Sequence, residues 1–511
     1  MATAKARWGV LHSKRSGVLT RARQASAITI PSIMPPEGHD EQSELKTPWQ
    51  SLGARGVNNL ASKMLLALLP SVTTFFRFRM DDDVVEQTGS DKTEVEDAMR
   101  ELENKGMRRL EKGNLRTIAH MALKVMIVTG NALMHMPKTG DNRMFKLDKF
   151  CVVRNPAGRV VEIVVKELVH KDTLDPAIAA AVGVEIKDDS TAEDNGKIDL
   201  FTHVKLVGEK HIYYQEINEV QVPGSEGRVD AKESPWIVMR WSSIENEDYG
   251  RGLIEEYLGD MISLEAINKA IIQYAAAAAR IILMLNPNST TDEDELEEAE
   301  SGDVITGIDG DINILQIDKG NDFQAAKNVM DGIELRLSHA FLLRSGTTRD
   351  AERVTAEEIR SQAQELEDVL GGVYTVQAHE FQLPIVLRTV SLMKESGDYP
   401  KFPKVNGEEV VTPSIVTGFE ALGRGHELNR LRGFFQDLRE TFGDVVLSRF
   451  KDIPAIKQFA VAHNVDVKDI LKTEEDLAAD AEAEQQAQLV DKTAGPIAGN
   501  LSKSAAENLA E

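Results

Sequence analysis

Two stretches of the sequence place histidine or lysine side chains at spacings that approach catalytic motifs. His379-Glu380 begins like the His-Glu-x-x-His motif of zinc proteases, but Leu383 stands where the second histidine ligand is required. Gly196-Lys197 is followed by Ile198, where a phosphate-binding loop needs the hydroxyl group of Ser or Thr. These stretches therefore support neither zinc-dependent hydrolysis nor nucleotide binding.

Two further stretches approach ion-binding or cofactor-binding motifs. Asp309-x-Asp311-x-Asn313 imitates a calcium loop, yet Ile314 replaces the turn glycine and Gly320 replaces the terminal glutamate. Gly423-Arg-Gly-His-Glu-Leu lacks the third glycine of a dinucleotide-binding fingerprint. No Gly-x-Ser-x-Gly nucleophile motif occurs. We expect no catalytic residues, no metal ligands and no cofactor, so an enzyme of a familiar type is disfavoured.

The overall charge limits the partners that the surface can bind. The chain has 511 residues, with 59 Lys and Arg against 83 Asp and Glu, and its net charge is −24. Such a surface does not grip nucleic acid over its whole extent, because phosphate binding needs clustered cations. A local basic patch, or a passage that DNA traverses without sticking, stays open. The single cysteine, Cys151, excludes an intrachain disulfide and a cysteine-cluster metal site.

The first 30 residues are basic and contain no acidic residue. No apolar run follows the charges, which argues against a secretion signal, and no later segment has the length and apolarity of a membrane span. We expect a soluble protein assembled in a reducing compartment. The cations of this arm are Lys5, Arg7, Lys14, Arg15, Arg21 and Arg23.

Helix signals follow the basic arm. Thr47 is a natural N-cap, Pro48 suits the first helical position, and Gln50 completes a Thr-x-x-Gln capping box. A second, highly charged helix is predicted over 92–112. The first helix is predicted to end at Pro70 and to face the core with a stripe of residues at helical spacing, namely Leu60, Met64, Leu65 and Leu68.

From about residue 125 to residue 241 the pattern changes to strands. Alternating apolar runs separated by turn residues predict two hairpins and one further strand. The turn of the first hairpin is Asn155-Pro-Ala-Gly158, and the acidic stretch 187–195 predicts a surface loop. The predicted strands are 150–154 with 159–166, 200–206 with 211–217, and 235–241.

A long helix, a small acidic module and a second helix come next. The chain is predicted to be helical from Gly252 through Met284, and the alanine run at 275–279 favours close packing of neighbouring helices. Residues 288–322 hold twelve acidic residues against Lys319 alone. Short strands are predicted within this module, at 303–307 and 313–317, and a returning helix spans 323–343.

The polar loop 344–353 separates the returning helix from another long helix. The loop contains three arginines, and Thr355-Ala-Glu-Glu358 predicts the capping box of the helix that follows. Gly371-Gly372 and Pro384 predict bends in this helix. Residues 397–413 are predicted to form a loop that leads into a helical C-terminal region.

Four blocks of sequence occur in a specific order and cover most of residues 30–430. They are Thr47-Pro-Trp-Gln-Ser-Leu-Gly-Ala-Arg-Gly through Pro70, Tyr249-Gly-Arg-Gly-Leu-Ile-Glu-Glu-Tyr through Glu265, Arg353-Val-Thr-Ala-Glu-Glu-Ile-Arg360 continuing through Glu365–Tyr374, and Gly418-Phe-Glu-Ala-Leu-Gly-Arg-Gly425. Together these blocks closely resemble the portal proteins, or head-to-tail connectors, of short-tailed, autographivirus-type phages.

The resemblance implies an α+β, mainly helical portal fold whose subunits form a dodecameric ring around a channel for double-stranded DNA. The implied parts, in chain order, are a basic N-terminal arm at 1–30, a wing at 31–250 with its β-rich part at 125–241, stem helix 1 at 251–285, a clip at 286–322, stem helix 2 at 323–343, a tunnel loop at 344–354, a long wing helix at 355–396, a crown at 397–472 and a flexible acidic, Ala-rich tail at 473–511.

The implied function is that of a portal at one capsid vertex, through which DNA is packaged into the phage head and ejected from it. A separate terminase ATPase is implied as well, because this chain lacks a nucleotide-binding motif, and a tail adaptor protein would replace it at the clip. The resemblance further implies that the major capsid protein and scaffolding or internal core proteins are partners. It implies no contact with a membrane. The protein would be assembled in the host cytoplasm and would reside in the virion.

The resemblance also assigns three sets of site residues. The tunnel loop would face DNA with Arg344, Thr347, Thr348, Arg349 and Arg353. The clip is implied to be a docking tip, but its start departs from the relatives, which carry basic residues there. The acidic residues of this chain predict that a partner presents a basic face to the clip, namely to Asp292, Glu293, Asp294, Glu295, Glu297 and Glu298. Neighbouring stems would pack closely around the ring through Ala275, Ala276, Ala277, Ala278 and Ala279.

We expect the acidic excess to line part of the channel, where it prevents tight binding of the DNA phosphates. Arg344, Arg349 and Arg353 would then touch the DNA backbone transiently. Alternatively, these arginines pair with acidic residues of the loop and of the helix start, namely Asp350, Glu352 and Glu357.

Other interpretations stay open. The basic arm could tether DNA or an internal core protein, or it could contact an acidic neighbouring subunit. The chain as a whole could be a metal-dependent DNA-processing enzyme, which metal-dependent cleavage would reveal. It could also be an internal scaffolding or core protein, which need not form a ring.

Overall fold

The computed structural model describes residues 3–40, 42–70, 74–80, 92–184, 196–278, 282–288, 292–304, 306, 308, 310, 312–315, 320–343, 370–400, 402, 404–405, 408–409, 411–415 and 424–443. The chain divides into two compact units, residues 1–421 and 422–511.

Two helices open the first unit, α1 (Ala4–Lys14) and α2 (Ser16–Ala27). The Thr3 side chain accepts a hydrogen bond from an N–H of the first turn of α1 and so caps that helix. Leu11 of α1 packs on the main sheet, whereas Leu19 of α2 enters the main core. The predicted basic arm is therefore helical over most of its described residues, and it packs on the folded body.

Helix α3 (Leu52–Leu68) begins later than the sequence predicts. The capping box at Thr47 is wrong, because the Gln50 side chain accepts a hydrogen bond from the N–H of Gly53 at 2.8 Å. The backbone N–H groups of residues 49 and 50 donate to the Glu265 carboxylate at 2.9 and 3.3 Å, which holds this segment outside the helix. The predicted end before residue 70 is confirmed.

Helix α4 (Lys92–Lys112) confirms the second predicted helix. Helix α5 (Leu115–Thr129) extends into the region predicted to be β-rich, and it ends at Gly130, whose φ of 80° suits a helix C-terminus. The predicted stripe on α3 is largely confirmed, with Leu65 only partly buried. Its fully buried members are Leu60, Met64 and Leu68.

The strands before residue 241 form two antiparallel sheets, except for β1, which pairs with a strand that comes later in the chain. The main sheet has the order β4-β5-β6-β7-β8 with β9 also on β7, and the second sheet has the order β10-β2-β3. Both predicted hairpins and the predicted strand at 235–241 are confirmed. The strands are β1 (Phe76–Arg79), β2 (Asn131–His135), β3 (Arg143–Phe145), β4 (Phe150–Arg154), β5 (Val160–His170), β6 (Lys197–Val207), β7 (Lys210–Ile217), β8 (Val220–Gln221), β9 (Gly227–Asp230) and β10 (Trp236–Arg240).

A short helix, α6 (Pro176–Ala181), lies between β5 and β6 in the chain. The side chain of Asp175 caps it by accepting a hydrogen bond from the N–H of Ala177 at 2.8 Å. The loop predicted at 187–195 lies outside the described residues.

The predicted long helix after Gly252 is broken and shorter than expected. It comprises α7 (Leu253–Glu256) and α8 (Leu258–Ala278), and residues 282–285 form strand β11 (Ile282–Leu285). The helix predicted through Met284 is thus wrong at its end. These four apolar residues pair with β12 (Ile312–Leu315), and no local signal distinguishes such a strand from a buried helical turn.

Short helix α9 (Glu293–Glu298) lies between β11 and β12, and α10 (Gly320–Ala340) leads back. The strand predicted at 313–317 is confirmed over 313–315. The strand predicted at 303–307 is wrong at its described residues 303, 304 and 306, which are not in a strand. The predicted loop 344–353 and the capping box after it lie outside the described residues.

The predicted long wing helix is helical over its described part. Residues 370–377 are helical, Ala378–Gln382 form a π-helical turn, and α11 (Leu383–Ser396) continues to Gly397. Pro384 accounts for the π turn, because proline lacks the N–H of a regular helical hydrogen bond and its ring crowds the preceding turn. The regular helical pattern is thus interrupted just before the proline at which the sequence predicts a bend.

The predicted loop at 397–413 contains short strands instead. β13 (Lys404–Val405) pairs with β14 (Glu408–Glu409), and β15 (Thr412–Ile415) pairs antiparallel with β1. β15 thus belongs to the first unit although its residues were expected in the crown. The described part of the second unit is α12 (Arg424–Phe442) with Gly443, and the predicted tail lies outside the described residues.

One large hydrophobic core joins α2, α3, α5, the strand layer and α11. Its largest fully buried side chains include Phe75, Phe76, Phe150, Phe341 and Phe381. Among the described helices, none combines the length and the apolarity that crossing a bilayer requires.

Candidate functional site

Helices α8 and α10 run antiparallel and include most of the residues predicted to form the stem. We call these two helices the stem pair. Arg336 of α10 donates two hydrogen bonds to the Asp260 carboxylate of α8, at 2.9 and 3.1 Å. The rings of Tyr274 and Phe323 lie against each other with centroids 5.6 Å apart. These contacts are 14 residues apart on α8 and 13 on α10, so they span about 20 Å at 1.5 Å per residue.

Both stem helices leave large apolar side chains uncovered within a single chain. On α8, Ile262 and Ile272 are 51% and 43% exposed, and on α10, Val329 and Leu335 are 54% and 42% exposed. The alanine run is likewise exposed over Ala275–Ala278, while Ala279 lies outside the described residues. The stem pair therefore has apolar surface available for another chain.

A small acidic module lies at the far end of the stem pair. We call residues 282–315 the distal module; it contains β11, α9 and β12, with ten acidic residues and no Lys or Arg. Asp292 caps α9 by accepting a hydrogen bond from the N–H of Asp294 at 3.0 Å. The predicted docking residues Asp292, Glu293, Asp294, Glu297 and Glu298 are exposed, and the side chain of Glu295 is outside the described set.

The charge distribution along α9 is unbalanced. Glu293 and Asp294 occupy its first turn, where the helix dipole stabilises negative charge. Glu297 and Glu298 occupy its last turn, where the dipole disfavours negative charge. A cation supplied at that end would relieve this repulsion.

The predicted tunnel-loop residues Arg344, Thr347, Thr348, Arg349 and Arg353 all lie outside the described residues. The structure therefore does not test their expected contact with DNA or their alternative pairing with acidic neighbours. The structure does describe the residue from which that segment starts, because Leu343 is described and directly precedes it.

Helix α3 packs against both stem helices near that point. A Cβ atom on Gly53 would lie 2.7 Å from the Cε atom of Met261 in α8. A Cβ atom on Gly56 would lie 2.4 Å from the ring of Phe341, the residue that follows α10. Only glycine therefore fits at these two positions of α3 without a shift of the neighbouring side chains.

Two polar side chains of α3 bind the backbone at the end of α10. The Asn59 amide donates to the carbonyl groups of Phe341 and Leu342 at 3.0 and 3.1 Å. The Lys63 ammonium group donates to the Leu342 carbonyl at 2.8 Å. Sequence reasoning missed both, although their spacing of four residues on a helix with an apolar stripe was an available signal.

Five of the six cations of the N-terminal helices have partners within the same chain. Arg7 binds Glu162 with a shortest distance of 2.6 Å. Arg15 is buried and donates to the backbone carbonyl groups of residues 147 and 150. Because these cations are already paired within the chain, they are less available to bind DNA, a core protein or a neighbouring subunit. Further ion pairs join Lys5 to Glu219, Arg21 to Glu255 and Arg23 to Glu37.

The Glu380 of the rejected zinc motif has a structural partner instead. Its carboxylate accepts hydrogen bonds from Arg240, including one from Nε at 3.0 Å, and lies 3.5 Å from Arg154. Both arginine side chains are almost fully buried, and burial lowers the pKa of Arg154 to about 10. Since Arg240 and Glu380 are 140 residues apart, no local signal in the sequence reveals this pair.

Helix α1 covers a second cluster of polar groups on the main sheet. Burial alone would raise the pKa of Glu162, but hydrogen bonds from His203 and Arg7 lower it to about 2. His203 Nε2 lies 2.8 Å from the carboxylate. Nearby, Cys151 is fully buried, and burial raises the pKa of its thiol to about 11. This cluster stabilises the docked helix.

Among the described residues, no three His, Cys, Asp or Glu side chains are grouped closely enough to hold a metal ion.

Comparison with known proteins identifies the family. The model of the bacteriophage head to tail connecting protein family matches residues 1–471. The portal protein of Escherichia phage T7 is 36% identical over 491 residues, which cover 92% of this chain and 88% of that protein. The portal protein of Enterobacteria phage T3 is 37% identical over 437 residues, which cover 84% and 80%.

Among solved structures, a chain from the neck of an empty gene transfer agent (GTA) particle covers 80% of this chain and 89% of its own length, with 11% identity and a TM-score of 0.38. The extent of the family match and the identity to the two phage proteins decide the assignment. The chain belongs to the family of bacteriophage head-to-tail connecting proteins, the portal proteins.

Proposed function

We propose that copies of this chain assemble into a twelve-membered ring at one capsid vertex, and that double-stranded DNA passes through the central channel. In this proposal α8 and α10 form the stem of each subunit, and the distal module is the clip. A ring of identical subunits needs a head-to-tail interface whose rotation closes. The protein would assemble in the host cytoplasm and become part of the virion with capsid and tail proteins.

The observation that carries the ring is the uncovered apolar surface of the stem pair. Ile262, Ile272, Val329 and Leu335 lie on two helices that already pack on each other, yet each stays more than 40% exposed. We take these exposed side chains to be part of an interaction surface between neighbouring subunits. The exposed alanines at 275–278 would let neighbouring stems approach closely.

Ring formation is tested by placing a charge on this surface. The variant Ile272→Glu should stay monomeric or form incomplete rings, because a buried unpaired carboxylate is costly in a subunit interface. Negative-stain images and mass photometry of the purified protein measure the outcome. The control is Val10→Glu, which adds the same charge at an exposed apolar residue of α1. Complete rings from Ile272→Glu would count against the stem as the interface.

The acidic distal module is proposed to dock a basic face of the terminase ATPase during filling and of a tail adaptor protein afterwards. Charge complementarity supports this, because ten acidic residues without a cation repel one another until a basic partner binds. Binding of each partner to purified rings should weaken as ionic strength rises from about 0.15 M to about 1 M, where the Debye length shortens to roughly 3 Å. Binding that is insensitive to salt would contradict this docking mode.

The segment that follows α10 is proposed to form the tunnel loop, with Arg344, Arg349 and Arg353 touching the DNA backbone transiently. An acidic passage supports easy movement of DNA because few phosphates are neutralised at any moment. The double variant Arg349→Gln, Arg353→Gln should reduce the DNA retained per particle. Normal filling and retention would show that these arginines serve the loop itself.

A further inference from the structure

We infer that helix α3 clamps the base of the stem pair, and that Asn59 and Lys63 are the positioning residues for the end of α10. This inference rests on the proposed function, in which α8 and α10 form the stem. Helix α3 holds the two stem helices in place where they join the body.

The end of α10 is strained in a way that needs support. The N–H of Leu343 donates to the Ser338 carbonyl at 2.8 Å, and the N–H of Leu342 donates to the His339 carbonyl at 3.0 Å. This is the pattern of a Schellman motif, in which glycine usually occupies the left-handed position. Here Leu342 occupies it, with a φ of 53°, a conformation that L-residues other than glycine adopt only at a cost.

Helix α3 supplies that support in two ways. Its Asn59 and Lys63 side chains provide three hydrogen bonds to the carbonyl groups of Phe341 and Leu342, the two residues that follow α10. The positive charge of Lys63 also lies at the negative end of the α10 dipole. In addition, Gly56 lets the Phe341 ring pack directly on the α3 backbone, and Phe341 is fully buried.

The same helix holds the other stem helix. Gly53 of α3 receives Met261 of α8, and the chain just before α3 donates two backbone hydrogen bonds to Glu265 of α8. At 100° per residue, Gly53, Gly56, Asn59 and Lys63 all fall on one side of α3. One rigid helix therefore fixes where both stem helices leave the body, and with them the starting point of the chain after Leu343.

The test uses phage particles that carry the full-length variant chain. The double variant Asn59→Asp, Lys63→Met keeps side-chain volume but removes the donors. We expect rings to form as usual and the backbone amides of residues 342 and 343 to exchange hydrogen about tenfold faster. We also expect about tenfold fewer DNA-filled particles. The single variant Lys63→Arg, which keeps native Asn59 and a cationic donor at position 63, should fill with DNA as the unaltered chain does.

The charge-matched control is the double variant Arg55→Met, Asn58→Asp, because both residues are exposed on the same helix and the net charge falls by the same amount. This variant should leave both exchange and filling unchanged. Faster amide exchange with normal filling would overturn the inference, and so would a double variant that fails to form rings, since its residues would then serve assembly. Failure of the proposed function is distinguishable, because the unaltered chain would then form no rings.

Discussion

The Glu380 carboxylate neutralises two guanidinium groups that are almost completely buried, those of Arg154 and Arg240. Removing its charge takes the carboxylate partner from Arg240 and leaves Arg154 with Asp248 alone, in a poorly solvated site. We expect Glu380→Gln to lower the free energy of unfolding by about 3 kcal/mol. Denaturant unfolding of the purified variant measures this loss.

The matched control for Glu380 is Glu395→Gln, which breaks the exposed ion pair with Lys138. Exposed pairs contribute less than about 1 kcal/mol, so this variant should unfold close to the unaltered chain. Equal losses in the two variants would mean that the buried position of Glu380 is not what makes it important.

Glu162 makes stability depend on acidic pH. Its pKa in the folded protein is about 2, below its ordinary value of 4.5, so the ionised form stabilises the fold above about pH 4.5. This contribution is lost as pH falls from about 4.5 towards 2. In Glu162→Gln, the fall in melting temperature across this window should be smaller than in the unaltered chain.

The control for Glu162 is Glu209→Gln, whose carboxylate pairs with Arg159 on the surface. Solvent screens that pair, so the pH dependence of this variant should follow the unaltered chain. Identical pH profiles for Glu162→Gln and the unaltered chain would show that the bonds from His203 and Arg7 do not stabilise the native state.

At the residue scale, the sequence showed which catalytic motifs are incomplete more clearly than it showed which side chains contact each other in the fold. In the structure, Glu380 of the incomplete motif at His379 pairs with Arg240 and Arg154. Their proximity depends on strand β10 and the π turn meeting across 140 residues, which no local spacing encodes. Asn59 and Lys63 were open to prediction as a polar pair on one helix face, but their backbone partners were not.

At the scale of elements, the two glycines of α3 decide how closely it packs. Gly56→Ala would place a Cβ atom 2.4 Å from the buried Phe341 ring, so the ring or the helix must move. We expect a loss of about 1–3 kcal/mol, the usual cost of overpacking. Thermal unfolding of the variant measures it.

Gly9→Ala on α1 is the matched comparison, because nothing lies within 4 Å of the added Cβ atom. Alanine there should stabilise the helix by about 0.5–1 kcal/mol. A similar effect of the two substitutions, in sign and size, would contradict the proposed packing of α3 on Phe341.

The elements that the sequence predicted well are those with a strong local signal. The hairpins around residues 155–158 and 208–209 combine turn residues with alternating runs, and both formed. The failures have tertiary causes. Residues 282–285 are equally compatible with a helix, and only pairing with β12 makes them a strand. The start of α3 moved because Glu265, distant in sequence, binds the backbone before it.

At the scale of the whole molecule, strand β15 ties residues from the C-terminal side of the chain to the first unit. It pairs with β1 along four residues, including the buried Phe76 and Phe78. A chain that ends at residue 396 would leave β1 without this partner and should aggregate or melt at lower temperature. A chain that ends at residue 421 keeps the first unit whole and should keep its melting transition.

Circular dichroism melting of the two truncated chains separates these outcomes. Equal melting temperatures would show that β15 is dispensable for the first unit. The sequence placed residues 397–413 in a loop, because a four-residue strand with a proline has too weak a pattern to be recognised.

The shielded sulfur atom of Cys151 makes this protein convenient for optical measurements. It is the only thiol in the chain, and its high pKa and lack of solvent access leave almost no thiolate to react at neutral pH. A cysteine engineered at any surface position would therefore take up a maleimide dye alone, with the native residue left in place. Energy transfer between dyes on different copies would then measure, in real time, how the distance between labelled residues changes while DNA passes through the proposed channel.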